Sequence, residues 1–146
     1  MSKEAERVYL TNKMKTGEGN YAFPIAYPNL PFDIPTNAPY AEFHIISSPQ
    51  GVVVGGEGRG RVRMRYAGLV QLTVWVPKEK GTKTGTVSSD TFKDLFQFKV
   101  GRDTAGQTYK FGSIQDYTPE TKAGWECFVY RVPFKRDSIE QVQIGI

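Results

Sequence analysis

The sequence is short of the residues on which covalent cross-linking and much side-chain chemistry depend. Among 146 residues there is one cysteine, Cys127, and one histidine, His44. An intrachain disulfide is therefore excluded, and a Cys/His zinc site cannot be assembled within one chain. A reducing, intracellular setting fits that cysteine usage. No stretch approaches the roughly 20 apolar residues that span a bilayer, and the start of the chain, Met1-Ser2-Lys3-Glu4-Ala5-Glu6-Arg7, is charged where a signal peptide is apolar. Neither secretion nor membrane insertion is expected.

Catalytic patterns are missing as well. Gly55-Gly56-Glu57-Gly58-Arg59-Gly60 is glycine-rich, yet it carries neither a Walker Lys-Ser/Thr nor the Gly-x-Gly-x-x-Gly order, and no helix follows it. There is no Gly-x-Ser-x-Gly elbow, His44 has no nucleophile near it in sequence, and Cys127 reads as a small buried side chain in a strand. The acids Glu42, Glu57, Asp90, Asp94, Asp103, Asp116, Glu120 and Glu126 show no spacing that pairs them. No catalytic residue, cofactor or metal is expected, and the chain does not read as an enzyme.

What is present is enough apolar material for one folded domain: 39% hydrophobic and 13% aromatic residues. Nineteen Lys and Arg against fifteen Asp and Glu give a net charge of +4, a mild excess that does not prescribe an anionic partner.

Residues 2–16 read as a short helix, with Ser2 as cap, Glu4 and Glu6 early, Lys13 and Lys15 late, Gly17 as stop, and Ala5, Val8 and Tyr9 on one face. From Tyr21 to Pro39 five prolines alternate with Phe23, Ile25, Tyr27, Leu30 and Phe32. That density excludes a helix or a central strand, and predicts an edge strand followed by an ordered arm packed on its own domain or on a neighbour. Strands are predicted at Tyr40 to Ile46 and Val52 to Val54, with the glycine-rich segment a flexible connection. Two further runs, Val62 to Tyr66 and Leu69 to Val76, are separated by a hairpin or bulge at Tyr66-Ala67-Gly68.

Residues 78–86 contain no large apolar side chain and predict a mobile loop; Ser88 or Ser89 would then cap a second helix with an inward stripe of Phe92, Leu95 and Phe96, joined by Val87 and the stem of Lys99. A strand is expected around Thr108 to Ile114 and a long one from Trp125 to Phe134, with Phe128, Tyr130, Val132 and Phe134 on one face. Val142, Ile144 and Ile146 alternate again, as a last edge strand or an arm offered to another subunit.

The sharpest local feature is the row Arg59, Arg61, Arg63 and Arg65, which a two-residue strand period places on one side. It can track phosphates, with Trp75 and Tyr66 nearby for stacking, or form a solvated face or an intersubunit charge ladder. The lack of aromatics interleaved on that face favours the second.

Phe23-Pro-Ile-Ala-Tyr-Pro-Asn-Leu-Pro-Phe32, the strand ending in Trp75-Val76-Pro77 before a Lys/Gly-rich loop, the capped helix, and Gly124-Trp125 opening a strand that closes with Val132-Pro133-Phe134 together resemble the tail terminator family of long-tailed bacteriophages. The resemblance covers about residues 21–136. It implies an α+β fold, a single domain over 1–146 with a mainly antiparallel or mixed sheet packed with two short helices. Residues 1–20 would be an N-terminal helix and linker, 21–136 the core and 137–146 a C-terminal tail.

It also implies a structural virion protein. Subunits would form a hexameric ring on the tail tube protein at the head-proximal end, stop tube growth and offer a surface to the head-tail connector protein. Assembly would take place in the host cytoplasm, with DNA passing through the lumen without sequence-specific binding. On this reading Tyr27, Pro28, Asn29 and Pro31 shape the arm beside the subunit interface. The 78–86 loop, with Lys78, Lys80 and Lys83, faces one end of the ring, and the arginine row faces the lumen or the next subunit. The alternatives are a sheet-based nucleic-acid-binding module and another neck or head-completion protein of the same virion.

Overall fold

The computed structural model describes residues 3–28, 30–78 and 83–142. Its frame is a pair of unusually long strands, β4 (Arg61–Pro77) and β9 (Trp125–Gln141), 17 residues each and antiparallel from Arg61↔Gln141 to Pro77↔Trp125. Around them, in chain order, lie α1 (Lys3–Gly17), a 3-10 turn (Glu18–Asn20), β1 (Ile25–Ala26), β2 (Tyr40–Ser47) and β3 (Val52–Gly58). After β4 come α2 (Lys83–Phe96), β5 (Val100–Arg102), β6 (Thr108–Phe111), β7 (Gln115–Asp116) and β8 (Glu120–Lys122). The sheet runs β1-β2-β4-β9-β6-β5, with β3 beside the first part of β4 and β7 and β8 beside β9. Only β1 on β2 is parallel among the described pairings. The fold is the expected α+β: one mixed, mainly antiparallel sheet and two helices.

The strict alternation of β4 and β9 explains the core. Val70, Leu72, Val74 and Val76 share one face with Phe128, Tyr130, Val132 and Phe134, all buried beneath Leu10 and Met14 of α1 and Phe92 and Phe96 of α2. Each such apolar side chain contributes about 1.5–3 kcal/mol through its removal from water. Where a hairpin or bulge was expected at Tyr66-Ala67-Gly68, β4 runs through unbroken, paired with β9 on one side and β2 on the other. Gly68 is needed there because a Cβ would lie 2.6 Å from the Phe134 ring and 2.9 Å from the Ile46 carbonyl oxygen.

Other expectations are corrected by packing. Gly55–Gly58 is not a flexible connection but the bulged second half of β3, and the hairpin turns at Arg59 and Gly60 with φ of 55° and 74°. α2 starts at Lys83, so neither Ser88 nor Ser89 caps it; Ser88 Oγ instead donates back to the Thr84 carbonyl at 2.6 Å. Gly85 lets that turn lie on the Phe128 ring, where a Cβ would sit 2.6 Å from three ring atoms, and Tyr130 Oη donates to the Gly85 carbonyl. Val87 is half exposed and Lys99 lies beyond the helix, so the inward stripe is Phe92 and Phe96 with Leu95 beside them. The expected strand at Thr108 stops at Phe111, while that at Trp125 continues to Gln141.

α1 buries Glu6, Leu10 and Met14, not the expected face of Ala5, Val8 and Tyr9; Val8 is exposed. At Gly17 the chain keeps a right-handed conformation and passes into the 3-10 turn, so the glycine serves close approach to Leu95 and not a left-handed stop. Ser2, Ile144 and Ile146, named above as a cap and a tail, lie outside the described residues.

Candidate subunit interface and lumen surface

Beyond the helices the sheet narrows to a three-stranded extension made of β3, the first residues of β4 and the last of β9. Arg61, Arg63 and Arg65 lie on one face of it, opposite Gln141, Ile139 and Asp137 in turn. Arg59 is in the turn, outside the row. Arg65 grips Asp137 through two hydrogen bonds, Nε to Oδ1 at 2.8 Å and Nη2 to Oδ2 at 2.9 Å. That grip holds the Asp137 carboxyl below its ordinary pKa despite partial burial. Arg63 lies 3.4 Å from Glu57. Among the described residues no acid pairs with Arg59 or Arg61.

The stacking candidates do not join this face. Tyr66 points to the helix side, where its ring lies 4.2 Å from the Arg136 guanidinium and its hydroxyl donates to Glu140 at 2.6 Å. Trp75 shares the arginine face but sits at the far end of β4, donating Nε1–H to Glu42 at 2.7 Å. The row is thus a partly self-neutralised cationic face without interleaved aromatics.

The proline arm starts from β1, whose parallel pairing Ile25↔Ala41 is extended by the Ala41 N–H donating to the Pro24 carbonyl at 3.1 Å. Tyr27 is the anchor: its ring packs edge-on to Phe43 with centroids 6.1 Å apart, Lys15 Nζ sits 5.2 Å from its centroid, and its hydroxyl donates to Glu18 at 2.5 Å. Pro28 joins Tyr27, Leu30, Phe32, Ile34 and Tyr40 in lining a cleft of about 320 Å³. Pro31, Leu30 and Ile34 stay exposed. Asn29 and Lys80 fall outside the described residues. Lys78 is exposed, with its N–H donating to the Gly124 carbonyl at 3.0 Å, and Lys83 is exposed at the first turn of α2.

Two arrangements were not legible in advance. The first is a buried polar tie. Glu6 of α1 and Arg136 of β9 are 2% and 3% exposed and 3.5 Å apart, Ser47 donates to Glu6 at 2.9 Å, and Arg136 donates to Gln107. Gln107 and Tyr109 both donate to Asp103 at 2.8 Å, and Tyr109 stacks on Tyr9 of α1 at 4.4 Å. The second is the β5 edge, where Phe98 and Val100 are 68% and 69% exposed. The available signal was that Phe98 falls off the Phe92/Phe96 stripe, an aromatic left over once the helix is satisfied.

Among the described residues no three His, Cys, Asp or Glu side chains converge as metal ligands would. Burial pushes the Cys127 thiol above its ordinary pKa, away from the reactive thiolate. No helix of the described residues is long and apolar enough to cross a membrane.

A family model described as phage tail terminator protein matches residues 7–134. One solved structure superposes with a TM-score of 0.72 at 17% identity, covering 100% of this chain and 99% of the other, a likeness of fold. No curated protein sequence matches the chain.

Proposed function

The chain belongs to the phage tail terminator family, and from that premise we propose that it forms a ring capping the head-proximal end of the tail tube. A structural role in a phage tail follows from the family itself. The finer reading is that six copies close on the last ring of tail tube protein, end its polymerisation and present the surface to which the head-tail connector protein docks. Assembly takes place in the host cytoplasm, and DNA later passes through the lumen without sequence-specific binding. The observation that carries this is the extent of the family match, 7–134, which takes in both helices' core residues, the proline arm and most of β9.

The site residues have parts in this reading. Tyr27, Pro28 and Pro31 shape the arm beside the subunit interface. Lys78 and Lys83 lie toward one end of the ring. Arg61, Arg63 and Arg65, with Arg59 at their turn, face the lumen. The Arg65–Asp137 and Arg63–Glu57 pairs support a lumen over a DNA-gripping surface, because a passage must lead DNA through without holding it. No catalytic step is assigned.

Light scattering and negative-stain imaging over a range of concentrations, with a DNA titration on the same sample, test the proposal. Six-membered rings indifferent to DNA support it. A monomer that binds DNA with a steep salt dependence overturns it in favour of a nucleic-acid-binding module.

A further inference from the structure

We propose that the β5 edge of one subunit, through Phe98 and Val100, seats in the proline-arm cleft at the β1 edge of the next, so that copies of this chain join head to tail. The inference rests on the ring reading above and names the contact that closes the ring.

Phe98 is a structural anomaly. It holds a left-handed φ of 57°, which bulky residues rarely adopt, and it does so while presenting its ring to solvent. The presentation is fixed by backbone hydrogen bonds: Phe98 N–H donates to the Gly112 carbonyl at 3.1 Å, and Phe111 N–H donates to the Lys99 carbonyl at 2.9 Å. The core gains nothing from this ring, since Phe92 and Phe96 already fill the α2 side of it. Val100, two residues on, is equally exposed and lies on a strand whose second side has no strand partner among the described residues.

The other end of the sheet has the complementary shape. The arm cleft, lined by Tyr27, Leu30, Phe32, Ile34 and Tyr40, offers about 320 Å³ of space, and its rim residues Leu30 and Ile34 are 51% and 65% exposed. Charge is complementary as well. Lys99 stands between Phe98 and Val100, with Arg102 and Lys110 exposed beside it, whereas Asp33 stands exposed between Phe32 and Ile34, with Glu42 in the cleft. By strand register Val100, Tyr40 and Glu42 share the face that carries the arginine row.

These surfaces cannot meet within one subunit. They lie on opposite edges of the strand order β1-β2-β4-β9-β6-β5, five steps of about 4.8 Å apart. Two different, mutually complementary patches on one chain make a heterologous contact, which closes into a ring when the rotation permits. The exposed valines of β3 are a poorer candidate, because two register shifts bend that strand.

Sedimentation velocity across a concentration series tests the contact with Phe98→Gly, Lys99→Asp, Asp33→Lys and the Lys99→Asp/Asp33→Lys double variant. Phe98→Gly is expected to raise the concentration needed for assembly about tenfold or more without lowering the monomer's Tm, because glycine accepts that φ. Each charge reversal is expected to weaken assembly and the double variant to restore it, which a merely structural role would not do. Wild-type rings that all four variants leave intact overturn the contact while the ring reading stands. A wild type that stays monomeric at every concentration overturns the contact, and the ring reading is then decided by whether the protein caps growing tubes.

Discussion

Arg136 of β9 and Glu6 of α1 form an ion pair sealed between helix and sheet, 3.5 Å apart and almost fully withdrawn from solvent. It fastens the N-terminal helix to the far part of the long strand pair, and with it the root of the three-stranded extension. Removing one partner leaves a buried charge without its counter-charge. Arg136→Met is therefore expected to destabilise the monomer by about 3–5 kcal/mol. Combining it with Glu6→Leu should recover much of that loss, and a double-mutant cycle in urea measures the coupling.

Acid should loosen the extension at Asp137. Hydrogen bonding from Arg65 depresses the Asp137 pKa in the folded state, so its contribution is present above the unfolded value and is lost as pH falls through the folded one. Asp103 behaves alike: burial pushes it up, but hydrogen bonds from Tyr109, Gln107 and Ala105 outweigh that and leave it depressed. Stability should decline as pH drops below about 4, the ordinary aspartate value. Thermal melts at stepped pH should show a shallower acid decline for Asp137→Asn than for the wild type.

Gly85 is expected to resist even the smallest side chain. A methyl group there would meet the Phe128 ring at 2.6 Å, inside a helix where alanine is otherwise preferred. Gly85→Ala should cost about 1–3 kcal/mol, read as a lower urea midpoint with an unchanged m-value.

The arginine face separates lumen from interface. Arg61→Gln/Arg63→Gln leaves the Arg65–Asp137 grip intact, and exposed charges of this kind contribute at most about 1 kcal/mol to folding. Normal rings with impaired DNA passage, scored as particles that assemble but fail to deliver DNA, are the expected result. Loss of rings from a folded monomer would move the face to the subunit interface.

How far the sequence could be read depended on whether the signal was carried by a residue's own type or by its partner. The alternation of Val70, Leu72, Val74 and Val76 and of Phe128, Tyr130, Val132 and Phe134 placed two central strands and their buried face, because burial imposes a period of two. The proline run likewise placed the edge strand and arm. The glycines of β3 look flexible in isolation and are held only by pairing with β4. β7 and β8, Gln115–Asp116 and Glu120–Lys122, have no apolar pattern and exist through hydrogen bonds to β9. Lys83–Thr86 is helical because Gly85 docks on Phe128, a contact 43 residues away in sequence. At the candidate site the arginine period was visible, but the acids that neutralise it, Asp137 and Glu57, were set by register across strands. Phe98 was visible only as a residue the helix did not need.

The most direct test of the central claim is electron microscopy of tubes growing from purified tail tube protein in the presence of this protein carrying a small density label. Label is expected at one end of each tube, with growth stopped there. Label absent from the ends or spread along the walls, with tubes lengthening as they do without the protein, would contradict it.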